Sequence, residues 1–185
     1  MKIIDITQEV FSCRVFPGDV PPKFERVKSV EHDSYNLTNI SMCVHNGTHI
    51  DAPNHFIPNG KAVHELDLKL LYGECAVIES DDVIAALENR HERLLIKGNC
   101  ELSDETARLI ADSNVKLIGV ESQSVGKIES PMSVHLILLE KEIVLLEGLY
   151  LSGVTPGEYI LAAFPLKLKG SDGSPVRAVL IDFEE

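Results

Sequence analysis

Apolar and polar residues alternate differently in the two halves of the chain. Near the start, Ile4 and Ile6 alternate with polar neighbours, and Phe24-Glu25-Arg26-Val27-Lys28-Ser29-Val30 carries a weaker version of the same two-residue period, so both segments read as strands. The intervening Phe16-Pro17-Gly18-Asp19-Val20-Pro21-Pro22 is too rich in Pro and Gly for regular structure and reads as a loop. From Leu37 to His45 the alternation is clearer, with Ile40, Met42 and Val44 on one face and Asn39, Ser41, Cys43 and His45 on the other. A strand here is expected to bury the first set and to present His45 to a more polar cavity.

The second half alternates element types. Cys75-Ala76-Val77-Ile78-Glu79 reads as a strand, after which Ser80 caps a helix with Val83, Ile84 and Leu87 at helical spacing. Arg93 to Lys97 is a further strand. Ser103 is placed to cap a helix running to about Asp112, with Asp104 and Glu105 in its electropositive first turn. Lys116 to Val120 is an apolar strand, and Ser130-Pro131 opens another helix with Pro at the tolerated first position. Ile143 to Glu147, Tyr159 to Leu168 and Val176 to Phe183 complete the strands. With strands outnumbering helices, the pattern implies an α/β chain with a mixed central sheet. No repeat or linker divides residues 1–185, which are expected to form one domain.

Composition narrows the partners. The 185 residues are 44% hydrophobic, with no apolar run near the roughly 18 residues that cross a bilayer. A formal charge of −12 argues against nucleic acid and anionic membrane as partners, because both reward clustered Lys and Arg. Cys13, Cys43, Cys75 and Cys100 are dispersed without a CxxC pair, as expected of reduced thiols in a cytoplasmic protein. The opening Met1-Lys2-Ile3-Ile4-Asp5 carries an early acid and reads as a strand, not as a signal peptide.

Chemistry concentrates in His45-Asn46-Gly47-Thr48-His49-Ile50-Asp51-Ala52-Pro53-Asn54-His55, which holds three of the seven histidines and a carboxylate. Burying such groups costs free energy unless each finds a partner, and a buried carboxylate needs a cation. In extended backbone His49 and Asp51 point to the same side. Gly47 permits a bend that returns His45 toward them, and Pro53 keeps the run from becoming one helix. Two imidazoles and a carboxylate suit a divalent transition metal such as zinc, with positions left open for water. His55 reads either as a further ligand or as a free acid/base beside the metal. His32, His64 and His91 read as structural or solvated. His135, ahead of the apolar run Leu136-Ile137-Leu138-Leu139, and Glu147, ending an apolar strand, are further candidates for the metal site; a helix-capping histidine and a surface acid are the bland readings.

Taken together, these motifs resemble the cyclase family of metal-dependent hydrolases, which includes the bacterial kynurenine formamidases and isatin hydrolases. The run from His45 to His55 is similar to the signature HxGTHxDxPxH. Phe16-Pro17-Gly18-Asp19, Gly119 to Ser124, His135 followed by Glu147, and Gly170-Ser171-Asp172-Gly173-Ser174-Pro175-Val176-Arg177 follow in the family's order along essentially the whole chain. The resemblance implies a compact, swivelling β/β/α-type domain and a site with two divalent metals, zinc first and manganese second. His45, His49 and Asp51 would hold one ion, with Asp51 bridging to a second bound by His135, and Glu147 contacting both. His55 would carry protons, and Phe16 would line the substrate pocket. It also implies a homodimer or homotetramer, with the pocket near the subunit interface. The expected reaction is hydrolysis of an amide-type acyl bond of a small molecule, as in an arylformamidase; cyclic imide or lactone hydrolysis, or a non-catalytic metal scaffold, are the alternatives. Kynurenine formamidases tend to carry Trp where Phe16 stands, and relatives commonly carry Asp where Glu121 stands.

Overall fold

The computed structural model describes residues 1–183. Its strands are β1 (Lys2–Asp5), β2 (Lys23–Lys28), β3 (Leu37–Ser41), β4 (His49–Asp51), β5 (Tyr72–Glu79), β6 (Arg93–Lys97), β7 (Leu117–Val120), β8 (Val144–Glu147), β9 (Gly157–Ala162), β10 (Gly173–Pro175) and β11 (Val179–Asp182). The α-helices are α1 (Val30–Asp33), α2 (Val83–Ala86), α3 (Asp104–Ala111) and α4 (Met132–Leu139).

Nine strands form one mixed sheet in the order β1-β11-β9-β5-β6-β7-β8-β4-β10. The middle four run parallel and are joined by crossovers that carry α2, α3 and α4, while the flanking pairs are antiparallel. Parallel strands covered on both faces need apolar side chains in both directions, which is why their sequences read as continuous runs. Within those runs the two-residue period still sorts the side chains. Leu94, Ile96, Ile118, Val120 and Leu145 pack with Ile110 and Leu138 of the helices. Leu95, Leu117, Val144 and Leu146 point into a second core with Ile6, Leu71, Leu161 and Leu180. The sheet curls round this second core until its two sides touch, where Tyr150 N donates to Ile6 O at 2.9 Å and Thr7 bridges Leu149.

Helix starts follow their local chemistry unevenly. Ser103 accepts a hydrogen bond from Thr106 N, and α3 begins at the next residue with two acids in its first turn. Ser80 does not cap a helix: it opens a 3-10 turn, Ser80–Asp82, and the α-helical part that follows is only Val83–Ala86. The expected strand from Leu37 to His45 is also corrected. It stops at Ser41 and pairs with β2 alone, in a ribbon separate from the main sheet, so neither face meets a core. Ile40, expected inside, is 60% exposed, and His45 sits in a turn after the strand.

Candidate metal centre

His49 and Asp51 lie on the three-residue strand β4, where alternation places them on one face and sends fully buried Ile50 to the other. The neighbouring strand β8 supplies Glu147 directly opposite His49. Directly paired residues on one face of an antiparallel ladder lie close enough to interact, so this register alone joins two segments nearly a hundred residues apart. His49 Nε2 is 3.4 Å from Glu147 Oε2 and 3.5 Å from Asp51 Oδ1. His135 enters from α4, its Nε2 3.3 Å from Glu147 Oε1 and 3.6 Å from Asp51 Oδ2. His45 comes from the turn before β4, its Nδ1 2.9 Å from Asp51 Oδ1. The five residues named in the sequence as ligands therefore converge on one buried point.

Two glycines in left-handed conformation make the convergence possible. Gly47 (φ 67°) turns the chain back toward β4, and the loop after β8 passes so near that a Cβ on Gly148 (φ 68°) would lie 2.3 Å from Gly47 O. Thr48 ties the same loops together, its hydroxyl donating to Gly148 O at 2.6 Å.

The ring nitrogens are divided in a way that favours metal binding. His49 Nδ1 lies 2.9 Å from Gly47 O, and His135 Nδ1 lies 2.8 Å from Pro131 O. Carbonyls only accept, so each Nδ1 carries a hydrogen, which leaves Nε2 as the atom that offers a lone pair to the centre once the ring is neutral. Val125 N donates to Glu147 Oε1 at 2.8 Å, fixing that carboxylate. Asp51 Oδ2 is buried with no hydrogen-bond partner, an arrangement expensive for a carboxylate oxygen unless a cation completes it. Nitrogen and carboxylate donors with no thiolate fit divalent zinc or manganese. The donor set and the orphaned oxygen fit a divalent metal site.

Electrostatics in the metal-free protein follow from this crowding. Burial pushes the His45 imidazole down, but hydrogen bonds to Asp51 and Asp172 more than offset it, and it is raised to about 9. Burial acts the same way on His135, where Asp51 and Glu147 raise it to about 10. His49 is raised against its burial by Glu147 and Asp51. Asp51, despite complete burial, is held well below its ordinary value by His135 and His45.

His55 belongs to the site but not to its centre. The 3-10 turn Pro53–His55 carries it to the cavity wall, with its ring stacked on His45 at a centroid distance of 4.2 Å. Burial lowers its pKa below 6.5, so it is neutral at pH 7. Phe16 and Phe56 line the same cavity, about 210 Å³, with Gln123, Ser124 and Asp19. A larger groove of about 740 Å³ lies along Tyr72, His91, Glu158 and Phe183, but it is remote from the metal ligands. The guanidinium of Arg93 beside it is already used by the carbonyls of Lys69, Leu70 and Glu74.

His32, His64 and His91 lie elsewhere; His64 Nδ1 accepts from Gly170 N. Glu121 ties backbone, accepting from Gly98 N and Leu151 N. Asp172 joins the site although its local sequence carries no ligand pattern: its Oδ2 is 2.7 Å from His45 Nε2 and 3.4 Å from His55 Nδ1. Only its place in the Gly170-to-Arg177 motif marked it.

The chain is similar to known proteins along nearly its whole length. The family model described as "Putative cyclase" matches residues 4–94. A kynurenine formamidase of Salinibacter ruber is 34% identical over 208 residues, covering 98% of either chain. A solved structure described as a potential metal-dependent hydrolase with cyclase activity superposes with a TM-score of 0.85 at 28% identity, covering 100% of this chain and 99% of that one. Isatin hydrolase A from Labrenzia aggregata shares the fold, with a TM-score of 0.82 at 24% identity over 99% of this chain and 94% of its own.

Proposed function

Because the chain belongs to the cyclase family, we propose that it is a metal-dependent hydrolase that cleaves the C–N bond of an aryl formamide, in the manner of the kynurenine formamidases it resembles. The observation that carries this reading is the convergence of His45, His49, Asp51, His135 and Glu147 around an orphaned carboxylate oxygen, with His55 on the wall of the same cavity.

His45, His49 and Asp51 would hold one divalent ion, and Asp51, His135 and Glu147 a second, with zinc the first candidate and manganese the next. When bound, such ions lower the pKa of water and polarise a carbonyl oxygen. The protein's own task is then to place the substrate and to move one proton. Phe16 and Phe56 offer apolar walls to an aromatic ring. His55, neutral at pH 7, accepts a proton from the attacking water as its oxygen forms the new bond to the formyl carbon. It returns that proton to the amine nitrogen as the C–N bond breaks, leaving an arylamine and formic acid, which ionises to formate by losing its proton to solvent.

The resemblance also implies a homodimer or homotetramer, and the β2–β3 ribbon supports that reading. A lone two-stranded ribbon is marginally stable in water, and Phe24, Leu37 and Ile40 are exposed on this one. Light scattering on the eluting protein would give the assembly size directly.

The decisive activity experiment is turnover of N-formylkynurenine, simple aryl formamides and isatin by protein loaded with zinc or with manganese. We expect formamide hydrolysis above isatin hydrolysis. Turnover of isatin alone would reassign the substrate to cyclic imides, and no turnover with metals bound would reduce the protein to a scaffold.

A further inference from the structure

Asp172 has no part in the ligand set, yet it touches both histidines that flank it. Its Oδ2 lies 2.7 Å from His45 Nε2 and 3.4 Å from His55 Nδ1, and the two rings stack at 4.2 Å with their planes 29° apart. His45 turns its other nitrogen toward Asp51 at 2.9 Å, so its two ring nitrogens are divided between the metal centre and Asp172. The backbone of Asp172 is fixed as well. Its carbonyl accepts from Ala52 N at 2.8 Å, and the next residue, Gly173, pairs with Asp51 in the β10–β4 ladder. The His45 ring also packs over Gly173, since a Cβ there would lie 2.6 Å from His45 Cε1.

An ionised carboxylate only accepts hydrogen bonds. A neutral imidazole has one N–H, and whichever nitrogen donates leaves the other with a lone pair. With His45 neutral, as a metal ligand must be, its Nε2 gives the N–H to Oδ2, and the carboxylate facing Nδ1 of His55 at 3.4 Å favours the tautomer that carries hydrogen on that nitrogen.

We propose that Asp172 is the positioning carboxylate of this site: one oxygen holds His45 and His55 together, keeping Nδ1 of His45 as a ligand atom and Nε2 of His55 as the proton-carrying atom. The proposal rests on the hydrolase reading for its kinetic consequence, but the tautomer it assigns does not. Loss of such a supporting group typically costs about 10- to 100-fold in activity or metal affinity. A competing arrangement exists in the same three residues, because His45, His55 and Asp172 could themselves take a metal ion, which would make His55 a ligand.

The test uses the full chain saturated with zinc and labelled with 15N-histidine. Long-range proton–nitrogen correlation spectra at one fixed pH read which nitrogen of His55 carries hydrogen. In the wild-type protein we expect the Nδ1–H form. Asp172→Ala should shift His55 toward a mixture of tautomers, keep two zinc equivalents, and lower kcat about 10- to 100-fold with KM changed less than about twofold. Asp172→Asn retains an acceptor oxygen, so it should recover the Nδ1–H form and part of kcat; it also supplies the comparison should the alanine variant not fold. An unchanged His55 tautomer and unchanged kcat in a metal-loaded Asp172 variant would overturn the proposal. So would loss of a third zinc equivalent on Asp172→Ala, which would identify the trio as a metal site. If formamides are not hydrolysed but the tautomer still depends on Asp172, the hydrolase reading fails and this assignment stands.

Discussion

Loading the metal-free protein should expel protons, and the structure gives the number. His45, raised to about 9, and His135, raised to about 10, both carry a proton at pH 7 in the metal-free state. A histidine ligand must be neutral, so binding two ions should release about two protons from this pair. His49, also raised, adds up to about one more, and a deprotonated water about another. At about 1.36 kcal/mol per pH unit, neutralising His45 and His135 at pH 7 costs about 3 and about 4 kcal/mol. The product of the two metal affinities should therefore rise at least about 100-fold from pH 7 to pH 8, from the His45 and His135 protons alone. Calorimetric titration of zinc into metal-free protein, in buffers of different ionisation enthalpy, reads the released protons from the dependence of heat on buffer. Release of fewer than about one proton at pH 7 would refute the reasoning, because both imidazoles would already be neutral. Stability should respond with a defined sign. Both groups have folded pKa values above their unfolded value of about 6.5, so their contribution to the metal-free fold is complete below that pH. It is lost progressively as pH rises from about 6.5 through the folded values of about 9 and about 10, and the Tm of the metal-free protein should fall across that whole interval.

Three further outcomes follow from the same geometry. His49→Ala and Asp51→Ala should lose metal and activity together, whereas His55→Ala should keep both ions by elemental analysis and lower kcat about 10²- to 10⁴-fold. Gly173→Ala puts a methyl 2.6 Å from His45 Cε1 and 2.9 Å from Ile50 O, so the ring must move; circular dichroism should remain native while turnover drops about 100-fold, as expected for a ligand displaced by about 1 Å. Phe16→Trp, in the cavity wall, should raise kcat/KM for N-formylkynurenine over that for smaller formamides by an amount worth about 1–3 kcal/mol, and an unchanged ratio in a fully metallated variant would remove Phe16 from specificity.

The parallel part of the fold was legible because its chemistry is local. Arg93–Lys97 is a strand with the bounds its apolar run suggests, and Ser103 caps α3 as its hydroxyl and the following acids imply. The failure at β3 shows where locality ends. Ile40, Met42 and Val44 alternate as well as any buried strand does, but alternation specifies only that a side chain faces away from its neighbours. Whether a second layer meets that face is a long-range matter, and the ribbon meets none. Ser80 failed for a related reason. A capping hydroxyl is useful only if a full helical turn follows, and here the chain passes through a 3-10 turn first.

For the site, residue types identified the donors, while strand register decided which donors meet. The apolar strand before Glu147 marks it as a candidate but does not by itself separate a ligand from a surface acid at a strand end. Its place is fixed by the β4–β8 ladder, which sets it opposite His49. A shift of one residue in that ladder would turn Glu147 to the opposite face and put Leu146 beside the metal. Leu146 is wholly buried in the second core, so such a shift would also expel a core leucine and bury a carboxylate among apolar groups. The apolar core and the metal centre therefore select the same register. The energy that packs Ile50 and Leu146 on one face of the sheet is what holds His49, Asp51 and Glu147 together on the other.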